Sequence, residues 1–262
     1  MRQEFSGTER LYSPEGVKKL QRATVTVIGI GGVGSWIAEA LARTAVGNLI
    51  LVDLDDICVT NINRQIHSTS ETVGKLKVDA MAERIQLINP DCKVTTIADF
   101  INRENISQVL SVRPDYVVDA IDNARVKAAL IYYCKRNKLK IITVGGAGAQ
   151  IDPLKITVSD LSKTWQDPLS AKVRNELRRN YNFTKNPKRR FGIECVYSTE
   201  QLLYPDGEGN ISYQKQSAMG ASRLDCAQGL GASVAVTSTF GMVAASRIIN
   251  WLISKKNHVL KS

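Results

Sequence analysis

Short continuous apolar runs alternate along the chain with longer stretches of helical spacing. Residues 24–28 (TVTVI) are followed by a helix-like pattern over 32–44. A second apolar run comes at 48–55 (NLILVDLD), bounded by Gly47 and acidic residues. A continuous Leu/Ile/Val run of this kind fits a strand covered on both faces. The alternation continues with a helix over 75–87, a strand at 93–97, a helix over 104–112 and a strand at 115–122. It ends with a helix over 124–136 and a strand at 140–146. The pattern predicts an α/β, Rossmann-like fold: a mostly parallel twisted sheet with helices on both faces. Ligands of such sheets sit beyond the carboxyl ends of the strands. Gly29 to Gly34, Asp53 to Asp56 and Asp122-Asn123 are therefore expected around one crevice.

The two ends of the chain are less regular. A first helix is expected over 13–22, with Ser13 as N-cap, Pro14 at the first helical position and Glu15 at the positive end of the dipole. After a strand-like run at 154–160 the alternation stops. Between Lys172 and Arg190 the chain carries eight Lys/Arg against a single acid, Glu176, which supplies +7 of the formal net charge of +10. A charge run is usually a solvated face. Here Tyr181 and Phe183 lie among the cations, a combination suited to phosphates and unpaired bases. Residues 227–246 then contain no charge at all. They are long enough to cross a bilayer, but their Gly, Ser and Thr content favours a buried helix at a subunit interface. Membrane association through residues 227–253 is the minor alternative.

Five scattered cysteines with no CxxC spacing argue for a reducing compartment and against a disulfide framework or a stable zinc site. The polar start, MRQEFSGTERLYS, lacks the apolar core of a signal peptide. A cytoplasmic protein is expected.

The chemistry turns on the stretch VTVIGIGGVGS. Gly29, Gly31, Gly32 and Gly34 would let a phosphate approach the backbone at the start of a helix, where amide groups and the dipole favour an anion. Asp53 ends the next strand, where a carboxylate can accept from ribose hydroxyls. NAD, FAD and ATP all fit that description. Residues further along discriminate: Asn63, Arg64 and Gln65, then Lys77 at the start of a helix, aim two cations at one crevice, which suits a triphosphate better than a nicotinamide. Asp122, at the end of DAIDN, is placed to hold a magnesium ion bridging phosphates.

Taken in order, TERLYS, GIGGVGS, VDLDDICVTNINRQ, VGKLKVDA, INP and DAIDN resemble the MoeB/ThiF superfamily, the adenylating fold shared with ubiquitin-activating enzymes. The resemblance spans roughly residues 5–160. It implies ATP and Mg2+ as the nucleotide and metal. Asp53 and the glycine loop would hold adenosine and ribose, Asn63, Arg64, Gln65 and Lys77 the phosphates, and Asp122 the metal; Asp55 and Asn123 lie in the same nucleotide-binding set. It also implies a homodimer, in which Arg10 reaches the triphosphate of the other subunit. Residues 1–160 would then be the ATP-binding adenylating α/β domain, and 161–262 a basic segment and apolar helix completing the same fold.

The basic stretch, RRFGIECVYSTEQ and LDCAQGLGASVAVTSTFGMVAA are similar to the branch of that superfamily that dehydrates threonylcarbamoyladenosine in tRNA. That resemblance implies adenylation of the threonyl carboxylate, attack from within the same side chain and loss of AMP. Lys172, Arg174, Arg178, Arg179, Lys188, Arg189 and Arg190 would hold the tRNA backbone. Cys226 is a candidate nucleophile, set against the commoner role of a packed cysteine. His67 is read as a surface or capping histidine, with a general base as the alternative. A sulfur-transfer (cysteine desulfurase) system is a further candidate partner. The competing readings are an adenylating activator of a ubiquitin-like sulfur carrier, and an NAD-dependent oxidoreductase or nucleotide-sensing scaffold.

Overall fold

A computed structural model describes residues 3–205, 210–213 and 230–255. Its centre is a seven-stranded sheet in the order β3-β2-β1-β4-β5-β7-β6. The strands are β1 (Thr24–Ile28), β2 (Asn48–Val52), β3 (Lys93–Ile97), β4 (Tyr116–Asp119), β5 (Ile141–Val144), β6 (Ile156–Asp160) and β7 (Glu194–Ser198). All neighbours pair in parallel except β6 with β7. β2 and β3 lie on one side of β1 and β4 on the other, so the strand order reverses between β1 and β4. That reversal opens a crevice beyond their carboxyl ends.

The strands alternate their side chains between two cores. Val25 and Val27 of β1 face one core, with Leu49 and Leu51 of β2 and Val118 of β4; Ile28 and Val117 face the other. The first core is covered by α1 (Ser6–Arg22), α2 (Gly34–Arg43), α3 (Lys77–Ile88) and α7 (Val234–Ser254). The second is covered by α4 (Ile106–Val109), α5 (Ala124–Arg136) and α6 (Pro168–Asn180). Each fully buried Leu, Ile or Phe contributes about 1.5–3 kcal/mol, so both faces are needed to hold a sheet this wide.

Three departures from the expected elements have local causes. Ser13 does cap a helix, its Oγ accepting from the Gly16 amide at 3.3 Å, but a further helical segment precedes it and the two meet at Ser13, with φ 67° and ψ 159°. β7 has no clear signature in the sequence, because ECVYS is short and its neighbours are polar or charged. It is buried between β5 and β6, so the sheet continues well past residue 160. From Val234 onward the uncharged segment enters α7, which has the length and composition to cross a membrane, with half of its most apolar stretch buried against this protein's own core. It crosses α2 closely: a Cβ at Gly241 would lie 2.6 Å from the Trp36 Cβ.

Candidate active site

The turn after β1 is shaped by two glycines that the protein itself requires. Gly29 has φ +88°, and a Cβ there would lie 2.8 Å from the Ala120 carbonyl oxygen, where β4 ends. A Cβ on Gly34 would land on the Gly29 carbonyl oxygen, so α2 begins tight against the turn. Gly31 and Gly32 differ. A Cβ on Gly31 would meet only Gln65 Nε2, at 3.9 Å, and one on Gly32 the Arg64 stem and the Thr237 methyl at ordinary van der Waals range. Nothing in the described protein demands glycine at 31, and a group bound against the backbone would. The α2 N-terminus has no side-chain cap and no acid in its first turn, leaving its positive end uncompensated.

Asp53 fastens this turn. Its Oδ2 accepts from the Ile30 amide at 2.6 Å and its Oδ1 from the Asp55 amide at 2.9 Å. Burial raises its pKa, against the lowering effects of Lys77 and of the Asp55 and Ile30 amides. Lys77 is buried, and its Nζ lies 2.6 Å from Asp55 Oδ2. Arg64 lays its Cγ and Cδ about 3.4–3.5 Å from the Cβ position of Gly32. Its guanidinium donates to the Thr60 carbonyl at 2.7 Å and to Asn63 Oδ1 at 3.0 Å. It forms no ion pair among the described residues. Trp36, which sequence reasoning passed over, fixes the Arg64 backbone: its Nε1 donates to the Arg64 carbonyl at 3.0 Å. An indole just after a glycine turn was the available signal.

The other expected residues are placed unevenly. Asn63 is exposed and donates to the Ala232 carbonyl at 3.3 Å. Its neighbour Asn61 is the buried one, accepting from the Cys58 amide at 3.1 Å. Gln65 is buried beside Gly31, with Oε1 lacking a partner among the described residues. Asn123 caps α5, its Oδ1 accepting from the Arg125 and Val126 amides. Asp122 is exposed with no polar partner among the described residues. Arg10 is exposed on α1, which is anchored at the opposite end of the sheet, through Phe5 to Val17 and Ala45 and through Leu20 to Gly47. Within one chain Arg10 does not join the crevice. Cys226 lies outside the described residues.

Two expectations about histidine and aromatics are corrected. His67 is not a surface residue: it is buried, and burial, followed by the nearby Lys77 and Arg84 charges, lowers its pKa to about 4. Tyr181 and Phe183 do not offer faces to a base. Tyr181 packs on Tyr132 with ring centroids 4.8 Å apart, and Phe183 meets Phe191 edge to face at 5.0 Å, both against the second core.

The basic stretch divides in the same way. Arg174 is half-buried and hydrogen-bonds Thr164; burial, then the Arg178 charge, lowers its pKa. Arg178 lies over the Phe191 ring, 5.5 Å from its centroid. These two brace the fold. Lys172, Arg179, Lys188, Arg189 and Arg190 are exposed. Asp160 accepts from the Phe191, Gly192 and Ile193 amides and so ties down the end of the loop that carries the last three. Burial would raise its pKa, but the hydrogen bonds from Ser162, Phe191 and Gly192 outweigh that and lower it.

A cavity of about 520 Å3 opens between Asp122 and Arg125 on one side and Gly146, Pro168, Lys172 and Leu202 on others. It lies beyond the carboxyl ends of β4 and β5, and its Asp122 wall follows Ala120 and Ile121, which Gly29 of the turn approaches. Among the described residues no three His, Cys, Asp or Glu side chains cluster as a metal cage.

The ThiF family model matches residues 7–262. The tRNA threonylcarbamoyladenosine dehydratase of Haemophilus influenzae is 53% identical over 97% of this chain and 95% of its own length, and that of Escherichia coli 52% identical over 97% and 95%. The crystal structure of the E. coli tRNA N6-threonylcarbamoyladenosine dehydratase, TcdA, in complex with ATP superposes with a TM-score of 0.86 at 48% identity, covering 97% of this chain and 95% of that one. By these matches, and by the glycine turn at the β1–β4 reversal, the chain belongs to the ThiF family, among relatives that are tRNA threonylcarbamoyladenosine dehydratases.

Proposed function

We propose that this protein is an ATP-dependent dehydratase of N6-threonylcarbamoyladenosine in tRNA, acting in the cytoplasm. The observation that carries the adenylating chemistry is Arg64, whose stem lies along Gly32 at the uncapped start of α2 and whose guanidinium has no acidic partner among the described residues. A cation and a free helix N-terminus that share no carboxylate form a site for an anion. Gly31, open on its Cβ side, leaves room for a phosphate against the backbone. The near-complete match to dehydratases, one of them solved with ATP, supports the choice of nucleotide and substrate.

In the proposed reaction an oxygen of the threonyl carboxylate attacks the α-phosphorus of ATP. The bond to pyrophosphate breaks and an acyl-adenylate forms. A nucleophile within the same side chain then attacks the activated carbonyl, AMP leaves, and the ring closes with net loss of one water. Because the second attack is intramolecular, proximity supplies much of its acceleration. Arg64 and Lys77 would stabilise charge gathering on the phosphates, as preorganised cations do. Lys77 would reach that role by exchanging Asp55 for a phosphate oxygen, since that carboxylate is half exposed and the lysine is near enough to Asp53, which fastens the turn, for its charge to act on it.

Asp122 fits Mg2+, which is usually bound through one or two carboxylates plus substrate phosphates rather than in a protein cage. When bound, the metal would neutralise charge on the phosphates. Arg10 of a second copy would complete the site in a homodimer. Lys172, Arg179, Lys188, Arg189 and Arg190 would contact tRNA phosphates. Incubating the protein with ATP, Mg2+ and tRNA that carries the modified adenosine, then weighing the released nucleoside, tests the assignment. Loss of one water supports it and an unchanged mass overturns it.

A further inference from the structure

With Tyr181 and Phe183 committed to the core, the aromatic faces free to meet an unpaired base lie elsewhere. A second cavity of about 430 Å3 is lined by Tyr204, Tyr213, Gln166, Gln201 and Arg174. It shares Pro168 and Leu202 with the first cavity, so the two adjoin as a trough running from Asp122 to Tyr213. Its size is in the range that takes a small organic group.

The lining is selective in character. Tyr213 is 60% exposed, with a face available to stack. Gln166 and Gln201 are exposed amides, each able to donate and accept, as the edge of a base requires. Arg174, held by its bond to Thr164, also lines this wall. The one carboxylate among the described residues of the wall, Asp167, is buried and committed: Oδ1 accepts from the Ser170 amide at 3.0 Å, and Oδ2 from the Gly146 amide and Ser170 Oγ. Among the described residues no carboxylate in the lining is left exposed to repel a phosphate. Gln166 is also held at φ +53°, a left-handed conformation that costs a non-glycine residue energy and is often kept at ligand sites. Gln166 directly precedes Asp167, which caps α6.

We propose that this second cavity is a stacking subsite for the unpaired nucleotide adjoining the modified adenosine, with Tyr213 as the platform and Gln166 and Gln201 at the base edge. The inference rests on the dehydratase reading, which would place the modified side chain in the first cavity. A flanking base then falls into the second because the two share a wall. Neither resemblance nor sequence pattern singles out these residues: they come from three separate segments, around residues 166, 201 and 213.

The test uses the full chain and a stem-loop RNA with the modified adenosine in its loop, the flanking nucleotide intact or abasic. RNA affinity by fluorescence anisotropy is measured beside turnover with ATP. Tyr213→Ala is expected to weaken RNA affinity and raise KM about tenfold, the size of a single base–aromatic stack, with kcat unchanged. Tyr213→Phe is expected to restore both. An abasic flank should weaken the unsubstituted protein by a similar factor and add nothing to Tyr213→Ala. Unaltered affinity in Tyr213→Ala, or equal abasic penalties in both proteins, would overturn the subsite. If the unsubstituted protein binds the RNA but converts none, the dehydratase reading fails, while the affinities still decide whether the second cavity holds a base.

Discussion

Lys77 Nζ lies 2.6 Å from Asp55 Oδ2, and the two side chains are unequally placed: the lysine is 8% exposed and the carboxylate 51%. The pair joins the end of the β2 segment to the start of α3, since the Lys77 amide also donates to the Asp55 carbonyl at 3.0 Å. A buried ammonium with a single exposed acidic partner is poised to trade that partner for an incoming anion. Lys77→Met, which keeps the stem and removes the charge, is expected to lower kcat for adenylation about 100- to 1000-fold, the scale of losing one preorganised charge-stabilising donor. Asp55→Asn should cost far less, about tenfold or below, because the lysine keeps its place on α3. Pyrophosphate release under single-turnover conditions measures both. Equal losses in the two variants would mean that the pair acts as a structural unit only.

The glycines of the turn should separate into structural and ligand-facing positions. Gly34→Ala places a methyl on the Gly29 carbonyl and is expected to cost about 3 kcal/mol or more, as overpacking of a tight contact does. Gly31→Ala meets nothing nearer than Gln65 Nε2 at 3.9 Å and should leave the melting temperature nearly unchanged while weakening ATP binding at least tenfold. Thermal unfolding and nucleotide titration of the two variants check this. A Gly31→Ala protein that binds ATP normally would remove the phosphate from that part of the turn.

Acid sensitivity should trace to His67. Its folded pKa is lowered to about 4 by burial, with Lys77 and Arg84 adding to the effect, against about 6.5 when unfolded. Between those values the unfolded chain binds the extra proton and the folded one does not, so stability is full above about pH 6.5 and falls as the pH drops toward 4. By about pH 5 the loss is on the order of 2 kcal/mol. Urea unfolding at about pH 7 and about pH 5 measures it, and His67→Gln should flatten the difference. An unchanged slope in that variant would place the acid-sensitive group elsewhere.

The cations of the basic stretch should also part company. Arg189→Gln with Arg190→Gln is expected to reduce tRNA affinity and lower the salt slope by about two, one for each phosphate no longer neutralised, with no change in stability. Arg178→Ala should instead lower stability by about 1 kcal/mol, the scale of its stacking on Phe191. Filter binding at several salt concentrations and urea unfolding distinguish the two.

How much of the fold is legible in the sequence depends on how local each signal is. The strand at 93–97 and the helix at 124–136 match β3 and α5 to the residue, because turn residues bound both runs. The glycine turn and the cations after β2 are readable for the same reason: spacing along the chain survives folding. The division of labour between neighbours is not. Asp122 and Asn123 look interchangeable as caps, and only the backbone geometry makes Asn123 the cap and leaves Asp122 exposed. Tyr181 and Phe183 sit among cations in sequence, yet turn inward because Tyr132 and Phe191, from other segments, offer them apolar surface. The second cavity is illegible because its walls meet only in three dimensions.

In the proposed reaction, an adenylating site built around Arg64 and Lys77 closes a ring on a modified adenosine of tRNA. Mass spectrometry of the nucleoside recovered after incubation of this protein with ATP, Mg2+ and threonylcarbamoyladenosine-bearing tRNA tests it most directly. The expected product is a nucleoside lighter by one water, formed only with ATP and absent with Arg64→Ala. A nucleoside of unchanged mass, with the protein instead adenylating the Gly-Gly terminus of a ubiquitin-like carrier, would contradict it.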